Sequence, residues 1–324
     1  MGELSVPEPD SSRPVIAIGE CLIDLIAPKS HDLTVASELR IREGGAPANV
    51  AVGLARLGVT AALRAVVGDD PFGERLRDRL AREGVDVAGV RVAPGEPTTI
   101  ALAWSDADGD GHFRIHRHAD ALLSPYDVAV EAIAGAEAIV VGSVAMSAES
   151  SRAAVLSAIR DATVARVPVV ADLNIRPGLV PVDELRFNAA ALLSAATVIK
   201  LSLDDAHALW GSTTFDQAAH ELARYGALTT VITDGGRGAA LLVDGQLTAA
   251  EAFAVEAIEP TGAGDAFTAA LIARMVARGW TAADESDLRF AMAAGAFATT
   301  RPGAMDGLPT RRQVEAFLTE RIAQ

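Results

Sequence analysis

The chain of 324 residues has one cysteine, Cys21, which excludes an internal disulfide and any metal site built from several cysteines, and fits a reducing cytoplasm. It also lacks a long apolar run. Hydrophobic residues make up 50% of the composition, but much of that is alanine, and charges interrupt every run well short of a membrane-spanning length. Positive charge is scarce, with 28 Lys and Arg against 43 Asp and Glu. The resulting formal charge of -15 repels phosphate backbones and anionic lipids, so neither nucleic acid nor a membrane surface is an expected partner, and an anionic substrate needs local help. The opening MGELSVPEPDSSRP lacks the basic-then-apolar order of a signal peptide and has Val6 where a myristoylation signal needs Ser or Thr, so residues 1–13 are expected to be a disordered tail. No polar or low-complexity linker divides the rest and no internal repeat is apparent, which points to one large α/β domain carrying an insertion.

What is present is an alternation. VIAIG, AALRAVVG, AIVVGSV, VPVVADLN, ATVIKLS and TTVITDGG are short β-branched runs interleaved with alanine-rich segments of helical period, the pattern of a mainly parallel sheet covered on both faces. Two segments break the rhythm. Residues 96–119 read as a hairpin, TTIALAWS and HFRIHRH around a Gly/Asp turn, and residues 24–43 hold a second polar, strand-like excursion. Together they are expected to form a small β-sheet lid (24–43 and 96–119) over a main domain of 14–23, 44–95 and 120–324. Closure that excludes water suits group transfer; an ordinary β-excursion or a dimer-forming edge explains the same segments equally well.

In PTGAGDAF, glycines let backbone N–H groups converge on one point, and the helix that follows adds its positive end: an anion cradle. Asp265 falls in the first helical turn, placed to take a proton from an attacking hydroxyl, and its repulsion from a phosphate implies a cation in the site. A plain glycine turn with Asp265 as a helix-stabilising charge remains the alternative. GGAPANVAVGLARLG, Gly44 to Gly58, has the same grammar, with Pro47 at a helix start and Asn49 in the first turn, where an amide suits polyol hydroxyls or simply packs. Asp24, in GECLIDLIA, suits a bidentate contact to sugar hydroxyls or is a solvated strand end. Polar groups also gather at three later strand ends: Asp172, Asn174 and Arg176; Lys200, Ser202 and Asp205; Thr233, Asp234 and Gly235. Ligands of open α/β sheets bind beyond the carboxyl ends of the strands, so these groups are expected to line one crevice.

Two other signals fail. DADGDG opens like a calcium loop, but its twelfth position is Arg117 instead of a bidentate glutamate. His112, His116 and His118 have no carboxylate or cysteine spacing to complete a zinc site. DDPFGERLRDRLAREGV reads as a capped, charged surface helix.

From about Val15 to Pro309 the chain resembles the ribokinase-like PfkB carbohydrate kinases: GGAPANVAVGLARLG is similar to the amino-terminal signature and PTGAGDAFTAAL to the carboxy-terminal one, in the expected order. The resemblance implies a three-layer α/β/α domain with a mainly parallel sheet, a small β-sheet lid, and transfer of the ATP γ-phosphate to a sugar hydroxyl. It makes Asp265 the base and the amides of Thr261, Gly262, Ala263 and Gly264 the anion hole. Asp24, Gly44, Gly45, Asn49 and Arg176 would hold the sugar. Lys200, Thr233, Gly235, Gly238 and Thr261 would serve ATP, with Ala294, Gly295 and Gly303 near adenine. Magnesium would be ordered by Ser202 and Asp205, where the family often has Asn and Glu. A monovalent cation, potassium, is associated with the loop in which Glu259 stands in place of the usual aspartate. GGAPANVAVGLARLG, DADGD and ADALL look most like bacterial fructokinases, hence fructose to fructose 6-phosphate. 2-Keto-3-deoxygluconate kinases share DLNxRP, and Arg176 would suit that acceptor's carboxylate. A nucleoside fits less well, because the lid offers few aromatics beyond Trp104 and Phe113. A non-catalytic sugar sensor would have no need of Asp265. An exposed lid edge makes a homodimer the expectation.

Overall fold

A computed structural model of the chain describes residues 12–28, 33–105, 111–176 and 178–322. Strand β1 (Val15–Ile18) leads into β2 (Leu22–Ile26) and β3 (Arg40–Gly44). Next come α1 (Ala46–Arg56), β4 (Ala61–Gly68), α2 (Pro71–Arg82) and β5 (Val90–Ala93), then the hairpin β6 (Ile100–Ser105) and β7 (Gly111–His116). The middle of the chain alternates: α3 (Val130–Ala134), β8 (Ala138–Gly142), α4 (Glu149–Ala165), β9 (Val169–Asp172), α5 (Val182–Ala195), β10 (Val198–Ser202), α6 (Leu203–Trp210), α7 (Phe215–Ala223) and β11 (Thr229–Thr233). A β12 (Ala239–Val243) and β13 (Gln246–Ala250) pair precedes four helices, α8 (Ala263–Ala277), α9 (Glu285–Thr299), α10 (Ala304–Gly307) and α11 (Arg311–Ile322).

The large sheet runs β13-β12-β11-β10-β9-β8-β1-β4-β5 and is parallel except for β12 and β13. Its two-sided burial follows from strand geometry: along β1, Val15 and Ala17 join one apolar cluster and Ile16 and Ile18 the other. The first cluster packs under α1, α2, α8 and α9, with Leu54, Leu63, Leu76 and Leu80 fully buried, each contributing about 1.5–3 kcal/mol. The second packs under α4 to α7. Helix α2 begins as its sequence predicts, on Pro71, with the Asp70 carboxylate accepting from the Gly73 amide at 2.9 Å.

A separate four-stranded sheet, β3-β2-β6-β7, is fed from the first at Gly19–Cys21 and returns at Gly44 and Gly45. The hairpin root is pinned: Thr99 donates to buried Asp120, which also pairs with Arg117, and Arg117 donates to the Val144 carbonyl at 2.9 Å. The DADGD segment lies outside the described residues, as does 1–11 of the expected tail, while Arg13 is paired with Glu137 at 3.1 Å.

Two features of this frame place chemistry. The strand order turns at β1, between β8 and β4, where α/β sheets open a crevice. Helices α1 and α8 cross closely because Gly53 has no side chain; a Cβ there would lie 2.7 Å from the Ala269 Cβ. Asn49 and Asp265 each lie one helical turn before those two residues, so this crossing brings them face to face.

Candidate active site

Helix α8 starts at Gly262, whose φ of 84° is left-handed and whose Cβ would sit 2.8 Å from the Ala304 Cα, so only glycine fits the turn. Among the described residues no carbonyl accepts from the amides of Gly264 and Asp265, the unpaired donors of a helix N-terminus. Beside them the buried Asp265 carboxylate accepts from Asn49 Nδ2 at 2.7 Å. Burial, reinforced by the Asp172 charge, pushes Asp265 up to about 6, against the opposing Asn49 hydrogen bond and the Lys200 and Arg176 charges. The arrangement suits a proton acceptor at the edge of an anion cradle.

On the side of the small sheet, Asp24 is buried on β2. Burial, then the charge of Asp265 and that of Glu259, raise it to about 7, with Arg176 opposing. Gly44 leaves it room, since a Cβ there would meet Asp24 Oδ2 at 2.1 Å. Gly45, at φ 103°, passes so close to the Glu20 carbonyl that a Cβ would be 2.5 Å from it. Asn49 Oδ1 is buried and has no hydrogen-bond partner among the described residues, so its acceptor capacity is unused there. The Arg176 guanidinium stacks 5.5 Å over the Phe113 ring, linking the β9 loop to the hairpin.

On the far side of the α8 N-terminus, a cleft of about 460 Å³ is lined by Thr233, Gly235, Gly238, Ala263, Gly264 and Gly295, with Phe253, Val255 and Met292 as its apolar wall. Of the residues expected around ATP, Thr261, Ala294, Gly303 and Lys200 do not line it. Ala294 is fully buried, and Lys200 is held at 3.0 Å by Asp172. A depression of about 530 Å³ beside α2, at Asp69, Asp70 and Glu74, contains none of the expected site residues.

Ser202 and Asp205, expected at magnesium, are engaged in the capping box of α6. Asp205 Oδ2 accepts from the Ser202 amide and hydroxyl at 2.8 and 2.7 Å, and Oδ1 from the Ile175 amide at 2.7 Å. No cluster of three or more His, Cys, Asp or Glu suited to a metal occurs among the described residues. Glu259 Oε2 accepts from the Gly303 amide at 3.1 Å. Two buried groups escaped the sequence: Glu20, whose Oε1 accepts from the Ala46 amide at 3.2 Å, and Thr268, one turn beyond Asp265, whose hydroxyl donates to Asp172 at 2.7 Å. A carboxylate directly after a strand-end glycine was the only signal for the first.

Comparison with known proteins follows the same lines. Residues 12–311 match the profile described as pfkB family carbohydrate kinase. A fructokinase of Klebsiella pneumoniae is 35% identical over 308 residues, covering 93% of this chain and 98% of that protein. The structure of a putative ribokinase II from E. coli in complex with ATP and Mg2+ superimposes with a TM-score of 0.86 at 27% identity, covering 95% of this chain and 99% of that one. A fructokinase from Vibrio cholerae O395, bound to fructose, ADP and calcium ion, gives 0.82 at 28% identity, with coverage of 95% and 100%.

Proposed function

Because the chain belongs to the pfkB family of carbohydrate kinases and is an ATP-dependent sugar kinase of ribokinase-like fold, we propose that it phosphorylates fructose to fructose 6-phosphate. The observation that carries the reading is the convergence of Asp265, Asn49 and the unpaired amides of the glycine loop. Asp265 takes the proton of the attacking hydroxyl. The Gly262, Ala263 and Gly264 loop, with the positive end of α8, stabilises charge on the transferring phosphoryl group without reorganisation. Asn49 Oδ1 accepts a sugar hydroxyl, and Asp24, for whose carboxylate Gly44 leaves room, holds another. ATP occupies the cleft between Thr233 and Gly295, with its terminal phosphate toward Gly264.

A neutral acceptor fits better than an acidic one. The charges of Asp265 and Glu259 are close enough to raise Asp24, and Arg176 is the one cation that opposes them there. A keto acid would bring another negative charge into that group.

One structural neighbour is in complex with ATP and Mg2+ and another with fructose, ADP and calcium ion. Here the Ser202 and Asp205 oxygens are already occupied by the α6 cap, so they do not fit as a dedicated metal cage, and a divalent ion would be held chiefly by the ATP phosphates. Potassium fits no better: the Thr299 carbonyl accepts from both the Ile258 and Glu259 amides, and the Glu259 carboxylate binds the Gly303 amide. These bonds tie the loop directly. The edges β3 and β7, with Ile41 and Phe113 partly exposed, support a homodimer through the small sheet. The single buried thiol supports a cytoplasmic setting.

The test is ADP release with MgATP against fructose, 2-keto-3-deoxygluconate, ribose and a nucleoside, with Asp265→Asn in parallel. Turnover with fructose that falls by about 10²–10⁴-fold in the variant supports both sugar and base. Turnover with the keto acid alone transfers specificity to Arg176, and silence with all four acceptors favours a sensor.

A further inference from the structure

Strands β9 and β10 are parallel neighbours whose register sets Lys200 directly beside Asp172. The two side chains form a pair at 3.0 Å, each about 5% exposed. The second Asp172 oxygen accepts from the Thr268 hydroxyl at 2.7 Å, and Thr268 has no exposure at all. Thr268 lies three residues after Asp265 on the same face of α8, so the cluster is bolted to the helix that carries the base. An ammonium has three donors, and among the described residues that of Lys200 makes the single bond to Asp172. Its nitrogen lies against the glycine loop: a Cβ on Gly264 would be 3.0 Å from Lys200 Nζ. A buried, under-used cation thus sits directly beneath the backbone that faces the transferring phosphate.

Building on the assignment of Asp265 as base, we propose that Lys200, held by Asp172 and Thr268, is a positioning residue that supplies fixed positive charge under the anion loop and keeps Asp265 ionised within it. An ordinary stabilising ion pair is a poor account of the cluster, because burying two charges gains little over apolar residues of similar volume. An ATP-contacting lysine is another, and Lys200 does not line the nucleotide cleft. The placement instead suits a charge whose effect grows as the phosphoryl group moves. In a site with little water, such a charge acts strongly on the transition state and weakly on bound substrates.

The groups that face Asp265 are Asn49 from α1, Asp24 from β2, Asp172 from β9, Arg176 from the loop after it, and Lys200 from β10; Lys200 itself faces Asp172, Asp205 and Asp265. Burial disfavours the charged Lys200, yet these three carboxylates outweigh it, so the ammonium remains charged across the working range. Its removal leaves Asp172 as an uncompensated neighbour of Asp265.

The experiment compares wild type, Lys200→Met, Asp172→Asn/Lys200→Met and Asp265→Asn. It reads kcat, KM for each substrate, the acid limb of kcat/KM and Tm. Lys200→Met is expected to lose about tenfold or more in kcat. KM for ATP and sugar should change less than about threefold, since ground-state binding is largely spared, and the acid limb should move up by roughly one pH unit. The double variant has no unpaired buried charge, so its Tm should return toward wild type while kcat stays about tenfold down. If Lys200→Met does not fold, the double variant alone decides. Recovery of kcat together with Tm would mean that the pair is structural and overturn the proposal. So would a raised KM for ATP with kcat intact, or a Lys200→Met enzyme with normal kcat and acid limb. An inert wild type or a fully active Asp265→Asn would instead remove the base assignment on which the proposal stands.

Discussion

Replacing Asn49 by leucine tests how the base is tuned. Its amide nitrogen donates to Asp265 Oδ2 at 2.7 Å in a buried setting. A hydrogen bond to a charged group contributes about 1.5–3 kcal/mol. At roughly 1.4 kcal/mol per pH unit, its loss moves Asp265 from about 6 to about 7–8. Burial and the Asp172 charge continue to push upward in the variant, while Lys200 and Arg176 still oppose them. An acid that acts as a base works above its pKa, so activity is lost on the low side. At pH 7 the ionised fraction falls from about nine-tenths to between about one-half and one-tenth. The assay is ADP release at saturating ATP and limiting sugar from pH 5 to 9. The expected result is an acid limb of kcat/KM that shifts up by one to two pH units, with partial recovery at pH 9. The unrecovered part reports the sugar hydroxyl that Asn49 Oδ1 can no longer hold. Asp24, raised to about 7, titrates in the same window, so the comparison of variant with wild type decides, not either limb alone. Superimposable limbs would refute the coupling, and a wild-type limb near pH 4 would refute burial as the dominant influence on Asp265.

Two further outcomes follow from packing and burial. Gly53→Ala forces a methyl group against Ala269 and so separates α1 from α8, at a cost of about 1–3 kcal/mol; kcat should fall with Tm, and Ala269→Gly in the same chain should restore both if the crossing is what sets the Asn49 to Asp265 distance. Glu20 is raised from 4.5 to about 7, first by burial and then by Asp120, although its own backbone hydrogen bond and Arg117 oppose the shift. The fold therefore favours its neutral form, and this contribution of roughly 3 kcal/mol is complete below pH 4.5 and lost as pH rises through 7. In Tm measurements on the ligand-free protein between pH 5 and 8, Glu20→Gln should flatten the decline seen in wild type, and parallel curves would show that Glu20 does not govern it.

Much of the frame was legible because it depends on local rules. Alternating β-branched runs and alanine-rich helices announced a two-sided parallel sheet, Asp70 and Pro71 announced α2, and the glycines before Asp265 announced a turn that feeds a helix N-terminus. What escaped depends on register between distant segments. Lys200 meets Asp172 only because β9 and β10 align those two positions, 28 residues apart, and the family resemblance had assigned Lys200 to ATP. Ser202 and Asp205 show the converse. A serine followed by an acid three residues later, ahead of an apolar helix, is the signature of a capping box, and that local reading describes them better than the metal role drawn from resemblance. Glu20 stayed hidden because nothing in GECLIDLIA distinguishes a carboxylate turned inward from one in solvent.

A chain of formal charge -15 that handles ATP must overcome its own field, and its buried charges show how. The positive end of α8, the unpaired amides of Gly264 and Asp265, and the Lys200 ammonium under Gly264 gather at the glycine loop, where the proposed function puts the phosphoryl group. Acidic groups dominate at longer range. Burial shields the short-range set from salt, whereas the repulsive far field is carried by exposed carboxylates and screened at physiological ionic strength. Attraction is thereby confined to the last step of approach. A divalent ion bound to ATP lowers the charge that must cross the repulsive field. The same separation of ranges explains why the carboxylates of Asp24, Asp172 and Asp265 can crowd one site: one buried lysine, one arginine and a set of backbone dipoles compensate them locally, and Asp265, raised only to about 6, is ionised at neutral pH.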